Sequence, residues 1–112
     1  MDISILFNWP PAQNSARVSF NGPTIEDMEC EFRVGIIKKR EQDRIYWLKP
    51  GWVAADNLDQ VKFDVYSDEK IVVEKKKLGT EEMLTRNMWD IAEKWPPEAV
   101  GASSVHIPWT FH

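Results

Sequence analysis

The chain is poor in the residues that build covalent or metal-centred chemistry. A single cysteine, Cys30, can make neither an internal disulfide nor a multi-thiolate zinc site, and nothing here calls for an oxidising compartment. Two histidines, His106 and His112, stand six apart in a proline-containing tail, which fits neither the i,i+4 pair of a helical zinc site nor a finger. The glycines at 22, 35, 51, 79 and 101 are all isolated, so no phosphate-cradling loop can be assembled. Serines at 4, 15, 19, 67, 103 and 104 carry no nucleophile motif, and only His106 lies near a pair of them. No apolar run approaches the roughly 20 residues that span a bilayer. The opening MDISILFNWPPAQ, with an acid at position 2 and prolines soon after a short apolar run, does not read as a signal peptide. These absences predict a soluble, intracellular (cytoplasmic) protein with no membrane contact, no cofactor, no metal and no catalytic set.

Positive charge is also in short supply. Eighteen acids against 14 lysines and arginines give a net charge of -4, which disfavours a protein that wraps the phosphate backbone. What is abundant is aromatic surface: six tryptophans, at 9, 47, 52, 89, 95 and 109, beside five Phe and two Tyr. With 43% hydrophobic and 29% charged residues the chain has the composition of a packed domain, and 112 residues suit one domain rather than two.

Local patterning predicts an α+β fold: an antiparallel β-sheet or partly closed small β-barrel of five to seven short strands over residues 1–78, one amphipathic helix over about 80–95, and an irregular aromatic tail over 96–112. Residues 3–7 and 16–20 are apolar runs flanking a Pro10, Pro11, Asn14 loop. Cys30, Phe32, Val34 and Ile36 alternate with Glu29, Glu31 and Arg33, as a half-buried strand does. Residues 38–44 form a charged turn, 45–48 and 52–53 resume strand-forming residues around Pro50 and Gly51, 56–60 read as loop, and 61–77 as a hairpin. The helix is placed by Thr80 as a cap, by Glu81 and Glu82 in its first turn, and by Leu84, Met88, Ile91 and Trp95 on one apolar stripe. On that helix Trp89 lies about 140° from Leu84 at 100° per residue. It is therefore expected to face outward and to anchor a partner, unless Trp109 or Phe111 of the tail covers it. Trp95 is expected in the core, and Trp9 and Trp109, each beside a proline, as packed corners.

Two surface constellations follow. Segment 33–49 carries Arg33, Lys38, Lys39, Arg40, Arg44 and Lys49 against Glu41 and Asp43, with Tyr46, Trp47 and Trp52 in or beside it. Rings that stack bases next to cations that meet phosphates suit a single-stranded nucleic-acid or glycan binder; the same residues also suit a charged hairpin tip with a tryptophan in the core. Acids at 26, 27, 29 and 31 just upstream make the chain dipolar, which favours a protein partner. In the 61–77 hairpin, a three-residue loop at 68–70 pairs Val65 with Val73 and opposes Asp64 to Glu74 and Lys62 to Lys76. Spaced D-x9-E-x-K, the trio Asp64, Glu74 and Lys76 resembles the metal-dependent active site of restriction-endonuclease-like nucleases, with Phe63 where that family carries Pro. A solvated strand face with diagonal Asp64–Lys76 and Lys62–Glu74 pairs explains the same charges. Gly51 and the stretch WVAADNL at 52–58 resemble, over eight residues, the closing segment of bacterial SH3-like barrels, which implies a small barrel.

The expected role is non-enzymatic: binding another protein, or self-association, as a small accessory, assembly or inhibitor factor of the compact kind that viruses and bacteria encode. Single-stranded nucleic acid or glycan binding through Trp47 and Trp52 is the alternative, and a nuclease-like site at Asp64, Glu74 and Lys76 the second.

Overall fold

Period-two alternation decides most of the architecture. A computed structural model describes residues 1–8, 15–95 and 104–109, which form nine strands in two antiparallel sheets and four single helical turns, two of them α and two 3-10. The smaller sheet runs β6 (Phe63–Tyr66), β2 (Ser15–Asn21), β1 (Asp2–Phe7), β9 (Ser104–Pro108). The larger runs β4 (Tyr46–Trp47), β3 (Cys30–Lys38), β7 (Glu69–Lys77), β8 (Met83–Asp90), with β5 (Val53–Ala54) also on β3. Trp9 and the prolines after it, and residues 96–103 and 110–112 with Phe111, lie outside the described residues; the described part of the tail expected to be irregular over 96–112 is largely strand, Ser104–Pro108.

Each sheet turns one face to a shared core. From the smaller come Ile3, Ile5 and Phe7 of β1, Ala16, Val18 and Phe20 of β2, and Val65 of β6; from the larger come Cys30, Phe32 and Val34 of β3 and Ile71 and Val73 of β7. Each Val, Ile and Phe among them contributes on the order of 1.5–3 kcal/mol by leaving water. The strands expected at 3–7, 16–20, 30–36 and 71–77 are present, and the sheets do not close into a barrel. The segment expected as loop at 56–60 begins with a helical turn, Ala55–Leu58, whose Ala55 and Leu58 reach the core.

One ionic cluster is built into this apolar interior. Asp27, 2% exposed, accepts a hydrogen bond from Lys75 Nζ at 2.9 Å and pairs with the Met1 α-amino group at 3.2 Å. It also takes the Thr24 backbone N–H at 2.8 Å, while its own N–H donates to the Thr24 hydroxyl. Burial pushes this carboxyl up, but hydrogen bonds from Lys75, Thr24 and the terminal amine outweigh it and hold the pKa at about 2.

The main departure from the sequence reading is at 80–95. Residues 83–90 are a strand along β7, and the helix shrinks to Ile91–Lys94, started by Asp90 Oδ1 accepting the Ala92 N–H at 3.0 Å. Gly79, at φ 78°, turns the chain, and the Thr80 hydroxyl donates to Lys77 O at 2.8 Å, so this pair closes a hairpin instead of capping a helix. Of the supposed stripe, Ile91 is buried and Trp95 packs on Phe7 at 4.8 Å, whereas Leu84 and Met88 are exposed. An open edge on the nine-residue β7 outweighs local helix propensity, because pairing satisfies a full row of backbone groups.

Segment 61–77 also differs from the expected hairpin. β6 and β7 are joined by Ser67 and Asp68 alone and belong to different sheets, so Val65 does not pair with Val73: β6 pairs with β2 and β7 with β3 and β8. The chain turns a corner there, helped by Glu69, which accepts the Tyr66 N–H at 2.9 Å. Burial raises the Glu69 carboxyl above its usual range, partly offset by that bond.

Candidate functional site

The outer face of the larger sheet brings together more chemistry than any other described surface. Register sends Glu31, Arg33, Gly35 and Ile37 of β3 to this face, beside Lys76, Glu74, Val72 and Lys70 of β7, and Arg86, Met88 and Asp90 of β8. Trp47 lies opposite Gly35, and only a glycine admits this approach: a Cβ there would sit 2.9 Å from Trp47 Cε3 and 2.8 Å from the Tyr46 carbonyl oxygen. With that space open, the Arg33 guanidinium stacks 3.8 Å from the Trp47 ring centre and 4.9 Å from that of Trp52. Lys76 adds a second cation 4.6 Å from Trp52. Such contacts contribute about 0.5–2 kcal/mol each, depending on desolvation.

Glu74 holds this array in place from beneath. At 2% exposed, its carboxylate accepts Arg33 Nη2 at 2.7 Å on one oxygen and Arg86 Nε at 3.1 Å on the other. A carboxylate this deep needs its counter-charges, so both guanidinium groups are pinned where an exposed arginine would wander. Lys76 lies 3.8 Å from Glu31. The face is thus a rigid surface of two tryptophans and two arginines, with Met83 and Met88 exposed along β8.

The residues predicted as a site are only partly united. Trp47, Trp52 and Tyr46 share one edge of the larger sheet, and Lys38 and Arg44 flank the Tyr46 ring at 5.5 and 4.9 Å. The Tyr46 hydroxyl donates to Glu41, which keeps the phenol protonated to higher pH than usual. Lys39 is tied to Asp90 at 2.9 Å, and that hydrogen bond outweighs partial burial to lower the Asp90 pKa. Arg40 is exposed. Trp89, expected outward, is half-buried and meets Trp109 edge to face at 6.4 Å, because residue 89 of a strand shares the inner side with Thr85 and Asn87. Trp109 of the tail covers it.

Asp64, Glu74 and Lys76 do not form the adjacent trio that the hairpin implied. Asp64 lies in the smaller sheet, held by Arg17 at 2.8 Å; Glu74 is enclosed by Arg33 and Arg86 in the larger one; and Lys76 faces Glu31 and Trp52. Among the described residues no three carboxylate, histidine or cysteine side chains converge as metal ligands.

Arg86, Met83 and Met88 belong to the face, although the helical spacing of Leu84, Met88, Ile91 and Trp95 masks their strand alternation. A signal did exist: in 83–90 a period of two puts Arg86 and Met88 together, opposite Thr85, Asn87 and Trp89. The outer face of the smaller sheet is ordinary by comparison. Ser4 hydrogen-bonds His106 at 3.1 Å and accepts from Asn21 at 2.6 Å, while Leu6 and Tyr66 are isolated apolar exposures. No family model matches the chain, and neither a curated protein nor a solved structure matches it.

Proposed function

We propose that the protein is a small protein-binding factor that engages its partner through the outer face of the larger sheet. The observation that carries this reading is the asymmetry between the two sheet faces. Among the described residues, Trp, Met and Arg, the types enriched in interface centres and among their energetic anchors, are gathered on one sheet and absent as a group from the other. Pinning by Glu74 and by ring stacking means that little side-chain freedom remains to be lost on binding. Exposed Lys38, Arg40 and Arg44 at one end of the face suit a partner with an acidic rim, although the chain as a whole is negative.

Stacking of bases or of a sugar on Trp47 and Trp52 is less well supported, since Arg33 already lies against both rings and Lys76 against Trp52. Affinity capture with the wild type, Trp52→Ala, Trp47→Ala and a smaller-sheet control, Tyr66→Ala, tests the proposal, with circular dichroism to confirm folding. A captured protein retained by wild type and Tyr66→Ala, but reduced at least tenfold by either tryptophan change, supports the reading. Equal capture by all four, or salt-sensitive quenching of tryptophan fluorescence by an oligonucleotide without any captured protein, overturns it.

A further inference from the structure

Among the described residues, the larger sheet ends on one side at β8, which pairs with β7 and with nothing beyond it. Unpaired strand edges are templates for further pairing, and proteins ordinarily blunt them with prolines, short length or several charges. Three of the four edges here are blunted in that way. β4 and β5 are two residues each and separated by Pro50, β6 has four residues, and β9 has five and ends in Pro108. β8 is different: eight residues, no proline, two charges, and Met83, Leu84 and Met88 exposed by 40, 42 and 49%.

We propose that this edge is occupied by β8 of a second copy, antiparallel across a two-fold axis at Met88. Residues opposed in a sheet share a face, so the axis of such a pair must fall on a residue, and few registers are available. An axis at Arg86 sets that guanidinium against its own copy. An axis at Asn87 opposes Arg86 to Met88 and Leu84 to Asp90. Moving it to Met88 opposes Arg86 to Asp90 twice, once on each side, and Met88 to itself.

The side chains are prepared for that arrangement. Both recorded contacts of Asp90, with Lys39 Nζ and Ala92 N, fall on Oδ1, which leaves Oδ2 for an incoming guanidinium. Among the described residues Arg86 meets Glu74 through Nε and Nη2, which leaves Nη1 for a new acceptor. Backbone pairing and the methionine contact supply the attraction, and the two cross-pairs select the register. The dimer joins the two larger sheets edge to edge and presents two copies of the Trp47 and Trp52 surface. It does not depend on that surface binding anything.

Mass measurement by light scattering across a dilution series tests association, with an expected mass of twice the 13.1 kDa chain. Met88→Lys, which opposes two lysines at the axis on a residue already half in water, is expected to return the mass to that of one chain. Leu6→Lys, an equally exposed position on the smaller sheet, should leave it doubled. Met88→Cys reads the register independently. Opposed Cα atoms at about 4.5–5.5 Å fall within disulfide range, and the native Cys30 is buried. Mild oxidation, the two thiols giving two protons and two electrons to the added oxidant, should therefore link nearly all Met88→Cys chains in pairs. Leu84→Cys, four residues from the axis and so about 26 Å from its own copy at 3.3 Å per residue, should stay unlinked. A single-chain mass at every concentration overturns the proposal. A dimer that survives Met88→Lys, or that links through residue 84 and not 88, overturns it as well.

Discussion

Asp27 shows what one residue does when its charge is placed inside a core. Its carboxylate is met by the Lys75 ammonium, the Met1 amine and two Thr24 contacts, and Lys75 in turn lies 5.3 Å from the Trp109 ring centre and 5.7 Å from that of Phe32. Neutralising the acid alone takes the carboxylate away from two buried cations, so Asp27→Asn is expected to lower the unfolding free energy by about 3–5 kcal/mol. The pH dependence follows from the folded pKa of about 2 against 3.8 for the free side chain. A depressed carboxyl contributes stability that is complete above the unfolded value and is lost as pH falls through the folded one. About 2 kcal/mol should therefore disappear between roughly pH 4 and pH 2. Urea unfolding followed across that range checks the loss, and Asp27→Asn should lack this portion of the slope.

At the scale of elements, β8 is where local and long-range preferences compete. Leu84, Met88, Ile91 and Trp95 carry a helical spacing as good as any in the chain, while the inner side of the strand, Thr85, Asn87 and Trp89, is two-thirds polar. Periodicity therefore points to helix, and the deciding partner, β7, becomes visible only once it is paired with β3. β1, β2 and β3 were legible because their alternation buries apolar residues on one side and leaves polar ones on the other. The site was legible in the same partial way. Tyr46, Trp47 and Trp52 next to Arg33 are near neighbours in sequence, but the Glu74 that fixes Arg33 lies 41 residues away and answers to no local pattern. Trp89 tests this account: as an inner-face ring against Trp109, its truncation to Ala is expected to cost about 2–4 kcal/mol in thermal or urea unfolding. Capture of a partner by the folded fraction should be unchanged. A drop in capture without loss of stability would restore Trp89 as an anchor.

Over the whole molecule, sequence order and spatial order diverge. β1 and β9, from opposite ends of the chain, are paired along residues 2–6 and 104–108, and the Trp109 N–H donates to Met1 O at 3.1 Å. The path passes from the smaller sheet to the larger after β2, back after β5, across again at Ser67 and Asp68, and back once more after β8. Pairings so distant in sequence carry the loop-closure cost that slows folding to the millisecond-to-second range of small β proteins. The alternating path has a further consequence for a chain that has been cut. A protease acting after exposed Arg44 would leave a first piece holding β1, β2 and β3 and a second holding the other six strands, so each piece would have strands in both sheets. Neither could depart without unzipping the smaller sheet and the larger together. The nicked protein is expected to elute with the uncut form and to separate only in denaturant, with the two pieces serving as halves of a complementation pair.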